Sequence, residues 1–363
     1  MSEPLDALHQ LGPDASGRPV HCRTFRKADG RMLRLYGHTP HTLAPGQQET
    51  DDIALGGELR HHPLRDEWNI YAAHRQNRTF KPAASDDPLA PTLPSGPPTE
   101  IPFTDFELAV FDNKFSGLHS CAPDPAALDG VASARALGAC EVVVYAPQAE
   151  GNLCSIGQDR REILLAAWED RYRALHEAGC AYVLPFENRG DEVGVTLPHP
   201  HGQIYGFSKI PHIQQQAIDA FANGYDLAAE IARAMPDYGL AEEHGIAAFC
   251  PRFSRFPYEV WIAPKTARQG LQDMTDREKR GFASLLGEIT RRYDAFFGRP
   301  SATMLALHAA PRGGSHGYHL TAQFYPLLRA ADRVKYLASV EQHTGVMTVD
   351  VMPEAAVVAL RAV

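Results

Sequence analysis

The sequence lacks the features that mark several classes of protein. No run of about 18 apolar residues occurs among its 363 residues, so no membrane-spanning helix is expected. Basic side chains are too few for a broad nucleic-acid-binding surface, since 35 lysines and arginines stand against 44 acidic residues and the net charge is −9. A local basic pocket for a phosphate remains compatible with this balance. The first residues, MSEPLDALHQLG, have neither a basic segment nor an apolar core, so we expect no secretory signal.

Cysteine is also scarce. The six cysteines are scattered along the chain and form no Cys-x-x-Cys pair. This spacing disfavours a zinc site built from thiolates. It favours reduced thiols and therefore a cytoplasmic location.

The length of the chain predicts two domains or one duplicated unit, and 44% apolar residues suffice for a sizeable core. Residues 1–58 are polar and only weakly periodic, which indicates a partly ordered N-terminal extension. We assign residues 59–210 to an N-terminal domain and residues 211–363 to a C-terminal domain. Residues 79–102 contain many prolines and no apolar run, which is typical of a loop or a surface arm.

The N-terminal domain has one clear alternation of strands and a helix. Apolar residues recur at helical spacing between Leu164 and Leu175, so a helix is predicted there. It lies between the second and third of four segments rich in β-branched and aromatic residues, which predict strands. These are FELAVFDN (106–113), EVVVYAP (141–147), YVLPFEN (182–188) and QIYGFS (203–208).

The C-terminal domain repeats this order. A helix is predicted from about Thr275, where Glu278 completes a capping box. Further helices, over about 212–235 and 328–341, are expected to join or close the halves. The predicted strands are AAFCPRF (247–253), YEVWIAP (258–264), TMLALHAAP (303–311) and HLTAQFYP (319–326).

The repeated order of elements predicts the fold class. A strand–strand–helix–strand–strand unit that occurs twice indicates an α+β protein with a duplicated unit. Sequential strands are expected to pair in antiparallel fashion, with helices on one face of the sheet. Two unrelated α+β domains are the alternative.

The segment LPHPHGQIYGF, from Leu197 to Phe207, carries the strongest chemical signal. His199 and His201 are two residues apart at the start of a predicted strand, so their side chains are expected to point the same way. The prolines that precede them restrict the backbone to extended geometry. Gln203 continues the same face. The segment therefore presents two imidazoles and an amide with little freedom left to lose.

A neutral imidazole is a good nucleophile near pH 7 and can form a covalent bond to phosphorus. Its second ring nitrogen then needs an acceptor, for which a backbone carbonyl would serve. Gln203 can donate an amide N–H to a phosphate oxygen. The preceding segment FENRGDEVGVT (186–196) can line the same phosphate with backbone N–H groups and with Thr196. A metal-binding pair or two surface histidines are the alternatives for His-x-His alone.

The segment FENRGDEVGVTLPHPHGQIYGF resembles the active-site segment of galactose-1-phosphate uridylyltransferases, a branch of the histidine-triad superfamily. Three other segments are similar to the family pattern, and together the matches run from about residue 60 to 341. The resemblance implies a duplicated histidine-triad-like unit whose antiparallel sheet forms a half-barrel. The three supporting segments are RHHPLRDEWNIYAAHRQNR (60–78), VFDNKF (110–115) and QFYPLLR (323–329).

The resemblance also implies a ping-pong transfer of UMP from UDP-glucose to galactose 1-phosphate or a related hexose 1-phosphate. His201 would attack the α-phosphate and expel glucose 1-phosphate, with His199 and Gln203 as the other members of the catalytic motif. Simple histidine-triad hydrolases carry a third His where this chain has Gln203, a difference that indicates transfer over hydrolysis. A homodimer with active sites shared between subunits is implied as well.

Substrate-binding positions carry over residue by residue. They match family residues that hold the uridine, the nucleotide phosphates and the sugar phosphate. A guanidinium fork suits a dianionic sugar phosphate, and in the dimeric family the arginine pair meets it across the subunit boundary. A solvated charge cluster around the arginines and a surface helix face around the last two positions are the alternatives. The positions are Asn113 and Phe115 for uridine, Asn188 and Thr196 for phosphates, Arg75 and Arg78 for the sugar phosphate, and Lys335 and Glu341 near phosphate and hexose hydroxyls.

The pattern departs from the family at its metal sites. Several relatives bind zinc through Cys-x-x-Cys, a His in the second strand and the first His of the active-site pair. This chain has Asp87, Ala90 and Ala149 at the first three positions, so only His199 is left and a tetrahedral site is not expected. We therefore expect His199 to hold the catalytic loop by hydrogen bonds.

A second metal, held in some relatives by one Glu and three His, is not expected either. His308 survives, but Ala217, Thr321 and Gln323 occupy the other positions. A displaced site that uses His316 and His319 is the alternative. With both family sites incomplete, we predict no metal and no other cofactor.

The acceptor end departs too, because Met347 stands where relatives place a Gln near the sugar hydroxyls. The sequence alone therefore does not establish that galactose 1-phosphate is the acceptor. Two other functions stay open beside uridylyl transfer. One is an adenylyltransferase of the same superfamily that uses ADP-glucose and phosphate, and the other is a nucleotide-sugar-binding relative without turnover.

Overall fold

The computed structural model describes residues 6–50, 53, 55–77, 82–83 and 86–363. Within this part of the chain it has seventeen strands in three sheets. The strands are β1 (Asp6–Pro13), β2 (Pro19–Arg26), β3 (Met32–Gly37), β4 (Glu58–His62), β5 (Glu67–Tyr71), β6 (Leu108–Asp112), β7 (Ser133–Arg135), β8 (Gly138–Val144), β9 (Tyr182–Arg189), β10 (His201–Phe207), β11 (Gly239–Glu243), β12 (Ile246–Phe249), β13 (Val260–Pro264), β14 (Thr303–His308), β15 (Thr321–Pro326), β16 (Leu328–Ala330) and β17 (Arg333–Val334).

Six α-helices accompany these strands in the described residues. None of them combines the length and the apolar character that crossing a membrane requires. Short 3-10 helices lie at Ala73–Asn77, Asp191–Val193 and Leu271–Asp273. The α-helices are α1 (Gly157–Glu177), α2 (His212–Ala222), α3 (Leu227–Tyr238), α4 (Asp276–Phe297), α5 (Ser339–Thr344) and α6 (Pro353–Arg361).

The central sheet confirms the α+β fold with a large antiparallel sheet. Its strand order is β1-β2-β3-β6-β8-β10-β9-β14-β15-β13-β12-β11. The two predicted units appear in it as β6-β8-β10-β9 and β12-β13-β15-β14, with the same internal order. They meet edge to edge, because β9 pairs with β14 from Arg189 opposite Thr303 to Phe186 opposite Ala306. One continuous sheet therefore joins the halves.

The two long helices lie on one face of the sheet, as predicted. Each occupies the equivalent place in its unit, and α1 packs directly against α4. The largest core fills the space between these helices and the strands, and includes Trp168 of α1 and Phe282 of α4. The shorter α3 covers the opposite face of β12, where Ile231 packs with Phe249.

The first residues of the chain form more structure than the sequence pattern indicated. Strands β1, β2 and β3 extend the central sheet, and β3 pairs with β6 through Leu35 opposite Ala109. Their buried faces include charged side chains, which hid the strand alternation. Arg23 of β2 is buried, for example, where it forms an ion pair with Asp6 and donates to the Leu43 carbonyl at 2.6 Å.

The proline-rich segment was predicted as a loop or surface arm. Its described part has no strand beyond an isolated bridge between Pro91 and Ile101, as a loop should. Part of it is exposed, such as Leu93, whereas Leu89 and Ile101, and Phe103 directly after the segment, are buried. These side chains cover the face of the sheet opposite α1 and α4.

Two helix predictions need correction. The region 212–235 contains two helices, α2 and α3, separated by a turn that contains Gly224 with a positive φ of 93°. The region 328–341 is not one helix. It begins with the short hairpin of β16 and β17, held by a hydrogen bond from the Lys335 N–H to the Leu327 carbonyl, and only α5 is helical. Strand pairing and burial of Leu328 override the helical spacing of its apolar residues.

The predicted capping box at the start of α4 gives a stability test. The Thr275 hydroxyl accepts from the Glu278 N–H at 3.3 Å, and the Glu278 carboxylate accepts from the Thr275 N–H at 2.8 Å. We expect Thr275→Ala to lower the free energy of unfolding by about 1 kcal/mol in urea denaturation, because it leaves a helix-end N–H without its acceptor. Thr39→Ala, on an exposed threonine, is the control. Equal stability of the two variants would contradict the assignment.

Candidate functional site

The site is built on strand β10, where the histidine motif turns into a regular strand. His201, Gln203 and Tyr205 alternate with fully covered residues, so their side chains share the face opposite α1. Gln203 lies opposite Val142 of β8 and Phe186 of β9, which places it on a central strand. Reactive side chains on a strand that is paired on both sides have little backbone freedom.

Gly202 is required between the two functional side chains. A Cβ atom at this position would lie 2.5 Å from the Tyr145 hydroxyl oxygen and 2.9 Å from the Phe186 carbonyl oxygen. Backbone and a buried tyrosine cannot both give way in a close-packed interior. The glycine thus lets β10 approach its neighbours closely enough to fix His201.

The structure defines which nitrogen of the neutral His201 ring has the free lone pair. Nδ1 lies 2.7 Å from the His199 carbonyl oxygen, an acceptor only, so Nδ1 carries the proton. The lone pair of the neutral ring is then at Nε2. Burial lowers the pKa of His201 below its ordinary value of 6.5, against the His199 carbonyl bond, which raises it. The unprotonated form is therefore present at neutral pH.

His199 lies behind the His201 ring and is almost completely buried. Its Nδ1 lies 2.6 Å from Asp87 Oδ2, and its Nε2 lies 2.8 Å from the Ala146 carbonyl oxygen. The prediction that hydrogen bonds of His199 hold this loop is thus met by two contacts. They tie the motif to the end of β8 and to the proline-rich segment.

A narrow cavity of about 120 Å³ opens in front of His201. It brings together six of the residues that the sequence singled out. A second, wider cleft of about 1050 Å³ shares Arg75 and Thr196 with it, so the two are adjacent. The six residues are Arg75, Asn113, Phe115, Thr196, His201 and Gln203.

Arg75 reaches the cavity from the 3-10 helix Ala73–Asn77. Its Nη1 donates to the Phe115 carbonyl at 2.8 Å, and the ring of His74 contacts the Ser116 carbonyl at 2.9 Å. These two bonds dock the helix on the segment that follows β6. A guanidinium group is thereby fixed at the junction of cavity and cleft. Arg78, its predicted companion, lies outside the described residues.

Asn113 and Phe115 form a local turn, in which the Asn113 side chain accepts from the Phe115 N–H at 2.8 Å. Asn188 does not line the cavity. It lies on β9, on the same face as Phe186, and continuing the β9–β10 register by two residues sets it beside His201.

Lys335 and Glu341 also lie away from this cavity. Lys335 Nζ contacts Glu341 Oε1 at 2.8 Å, and the hydrogen bond from Lys335 lowers the pKa of Glu341 to about 2. The two residues thus form an ion pair with each other. Among the described residues of one chain, neither side chain forms a hydrogen bond with another predicted site residue.

The positions that hold zinc in relatives do not fit zinc here. Ala90 and Ala149 offer no side-chain donor, and the remaining two groups, Asp87 and His199, bond to each other. Both ring nitrogens of His199 face oxygen acceptors, so neither offers a lone pair to a metal. Tetrahedral coordination by this set is not possible.

The residues at the family's second metal position also form hydrogen bonds with other groups of the protein. His308 Nδ1 lies 3.0 Å from the Tyr182 hydroxyl, and burial lowers the pKa of His308 to about 4. Gln323 donates to the Thr321 hydroxyl at 3.1 Å. In the part of the chain that the structure describes, no three His, Cys, Asp or Glu side chains are placed to hold a metal ion.

The proposed displaced metal site is not formed either. His319 is buried and its Nε2 contacts the Pro264 carbonyl oxygen at 2.7 Å, whereas His316 is exposed. His319 is the counterpart of His199 in the second unit, since each lies four residues before the Gln of its strand. Its ring is used, like that of His199, to bind a carbonyl group.

Sequence reasoning missed several residues around the cavity. The sequence shows Asp87 only as a residue at a position where relatives have a cysteine that binds zinc, although in the structure it forms a hydrogen bond with His199. Glu100 and Lys114 line the cavity, and the Tyr205 hydroxyl oxygen lies 3.4 Å from Arg75 Nη1. Of these residues, only Tyr205 could have been predicted from the sequence, because it lies two residues beyond Gln203 on the same strand face.

Comparison with protein-family models supports the resemblance. The N-terminal domain of galactose-1-phosphate uridyl transferase matches residues 46–211, and the C-terminal domain of the same family matches residues 238–363. Together these matches span most of the chain.

Individual relatives agree. The chain is 34% identical over 323 residues to the galactose-1-phosphate uridylyltransferase of Thermotoga maritima, covering 84% of this chain and 98% of that protein. It is 30% identical over 362 residues to the enzyme of Streptomyces lividans, covering 93% and 96%. A solved uridylyltransferase structure superposes with a TM-score of 0.74 at 27% identity, covering 84% and 98%. An ADP-glucose phosphorylase from Arabidopsis thaliana has the same fold, with a TM-score of 0.63 at 20% identity over 84% and 98%.

The geometry around His201 predicts its titration. Because burial lowers the pKa of the ring, we expect its titration midpoint below 6.5, so that the neutral form predominates from pH 7 upward. Nitrogen-15 NMR of histidine-labelled protein measures this midpoint, with His201→Gln for assignment. The shifts should also show the proton of the neutral ring on Nδ1. A midpoint above 6.5, or a proton on Nε2, would contradict the geometry.

Proposed function

Because the chain belongs to the galactose-1-phosphate uridylyltransferase family, we propose that it transfers a uridylyl group from UDP-glucose to galactose 1-phosphate or a related hexose 1-phosphate. The observation that carries this proposal is the fixed tautomer of His201 at the end of the cavity. It supplies a neutral nitrogen nucleophile at physiological pH without a separate base.

In the first half-reaction, Nε2 of His201 attacks the α-phosphorus of UDP-glucose. An N–P bond forms, the bond from the α-phosphorus to the bridging oxygen breaks, and glucose 1-phosphate leaves. The ring becomes positively charged as the bond forms, and the Nδ1–H bond to the His199 carbonyl stabilises that charge. Gln203 donates its amide to a non-bridging oxygen of the same phosphorus.

In the second half-reaction, a phosphate oxygen of the hexose 1-phosphate attacks the same phosphorus from the opposite side. The N–P bond breaks, the new UDP-sugar leaves and His201 returns to its neutral state. Gln203 donates a hydrogen bond but cannot transfer a proton as an acid or a base, unlike a third histidine. Water is therefore weakly activated, and the uridylyl group stays on His201 until a sugar phosphate binds.

The two adjacent openings suit the two ends of the substrates. We assign the uridine to the narrow cavity, where Asn113 and Phe115 lie, and the leaving and entering sugar phosphates to the wider cleft. Arg75 lines both and supplies a fixed positive charge for phosphate. Arg60 adds a second guanidinium to the cleft. Asn188 and Thr196 flank the phosphates on the His201 side, and Arg78 remains assigned to the sugar phosphate by resemblance.

We also infer a homodimer whose partner completes the cleft. Leu64 is 91% exposed on the β4–β5 turn, and Tyr336 is 75% exposed on the segment before α5. The two segments that carry these residues lie together, because Arg65 donates to the Gln342 carbonyl at 3.3 Å. Ile70 and Tyr71 extend this exposed surface to the cleft, so a second copy bound here would cover the cleft. Lys335 and Glu341 lie in the same segment, where they form a buried ion pair, and by resemblance we propose that they lie near the partner's substrate.

A cytoplasmic location fits this chemistry. The six cysteines are all free thiols in the structure, and four of them are buried. Nucleotide sugars and sugar phosphates are intracellular metabolites, and no cofactor is needed for the proposed transfer.

The mass of the protein after incubation with a nucleotide sugar tests the covalent step. Intact-protein mass spectrometry should show one added uridylyl group after UDP-glucose, and galactose 1-phosphate should remove it. His201→Gly should abolish the adduct because it removes the nucleophile, whereas His316→Gly, on an exposed histidine outside the site, should form it normally. An adenylyl group gained from ADP-glucose instead would identify the adenylyltransferase alternative. No adduct from either sugar would indicate a relative without turnover.

Light scattering tests the dimer. We expect Tyr336→Asp to convert a dimer of the protein into monomers, because a charge would be buried in an apolar interface, and to reduce transfer activity with it. Val358→Asp, on a valine 67% exposed in α6, is the matched control and should leave both unchanged. A monomeric wild-type chain with full activity would contradict the shared cleft.

A further inference from the structure

The zinc position of the family holds a different device in this chain. We propose that Asp87 is a positioning residue that takes the place of a bracing metal, by forming a charged hydrogen bond with His199 that fixes the carbonyl group orienting His201. The proposal rests on the proposed function for its kinetic readout alone, since the contacts themselves do not depend on turnover.

The hydrogen bonds of His199 connect it to two separate parts of the chain. Asp87 Oδ2 lies 2.6 Å from His199 Nδ1, and the Ala146 carbonyl oxygen lies 2.8 Å from Nε2. Burial alone would raise the pKa of Asp87, but hydrogen bonds from His199 and from the Leu89 N–H lower it below its usual range. An ionised carboxylate therefore accepts a hydrogen bond from the His199 ring.

The surroundings make this contact a strong constraint. The side chain of His199 is fully buried, and that of Asp87 is 8% exposed. A hydrogen bond to an ionised carboxylate in such a place is stronger than one in water, and removal of either partner leaves a buried polar group without its contact. The contact thus constrains the backbone at the point where the family pattern has metal ligands.

Asp87 joins three parts of the site. Its Oδ1 accepts from the Leu89 N–H at 3.0 Å, so the carboxylate also shapes the proline-rich segment. Leu89 is buried and lines the cavity in front of His201. On the other side, the carbonyl of His199 accepts from His201 Nδ1 at 2.7 Å. One carboxylate therefore sets both a wall of the cavity and the backbone that orients the nucleophile.

This arrangement predicts effects on chemistry more than on binding. Asp87 lies behind the motif and does not line the cavity, so its loss should not remove a contact to the substrate. It should instead let the His199 carbonyl move and with it the His201 ring. Outer-shell partners of this kind typically change activity by about 10–100-fold.

Single-turnover kinetics test the proposal. We expect Asp87→Ala to slow adduct formation with UDP-glucose by about 10–100-fold, with an unchanged Kd for UDP-glucose. Asp87→Asn should lose less, because its amide can still donate to the lone pair of a neutral His199 ring. Asp129→Asn, an exposed surface change, should match the wild type. A wild-type rate for Asp87→Ala, or a weakened Kd that accounts for the whole loss, would overturn the proposal.

A readout without turnover separates this inference from the proposed function. Nitrogen-15 NMR should show the His199 Nδ1–H proton in a strong hydrogen bond to Asp87, and this signal should be lost in Asp87→Asn while the fold is kept. If wild-type protein forms no adduct, the proposed function fails and this spectrum still decides whether the Asp87–His199 hydrogen bond exists. Elemental analysis and chelation complete the test: stoichiometric zinc, or adduct formation that chelators abolish and zinc restores, would show that a metal holds this position.

Discussion

The chemistry of the protein depends on one hydrogen bond between neighbouring parts of the same motif. Nδ1 of His201 donates to the carbonyl of His199, two residues earlier, at 2.7 Å. This bond alone decides that the lone pair of the neutral ring is at Nε2, where the cavity begins. It also offers an acceptor for the positive charge that the proposed bond from that nitrogen to phosphorus would create. Every other element of the site either holds this carbonyl in place or brings the substrate toward it.

The fold explains why the carbonyl is held so well. Strand β10 is central in its unit, paired with β8 and β9, and its small Gly202 lets both neighbours approach. The proline-rich segment closes the other side through Asp87. The family pattern places metal ligands in this region, whereas here we propose that the hydrogen bond between Asp87 and His199 holds the backbone instead. The substitution changes the ligand chemistry and keeps the constraint on the backbone.

The predictable parts of the structure are those in which local pattern and tertiary environment agree. The eight strands of the duplicated unit and the helix beginning at Thr275 follow from β-branched segments, helical spacing and a capping box. The strands of the first 37 residues did not, because side chains such as Arg23 and Arg34 are buried against partners distant in sequence. The region after β15 failed for a similar reason, since burial of Leu328 in the main core overrides the helical spacing of its apolar residues. At the site, spacing indicated His201 and Gln203, but no local pattern could show that Asp87 reaches His199 across 112 positions of the chain.

A crystal structure of the protein reacted with UDP-glucose, in the absence of an acceptor sugar, tests the central claim most directly. The account predicts continuous density between Nε2 of His201 and the α-phosphorus, with Nδ1 still within hydrogen-bond distance of the His199 carbonyl. Phosphorus bonded to Nδ1, bonded to another residue, or bound in the cavity with the His201 ring turned away would contradict it.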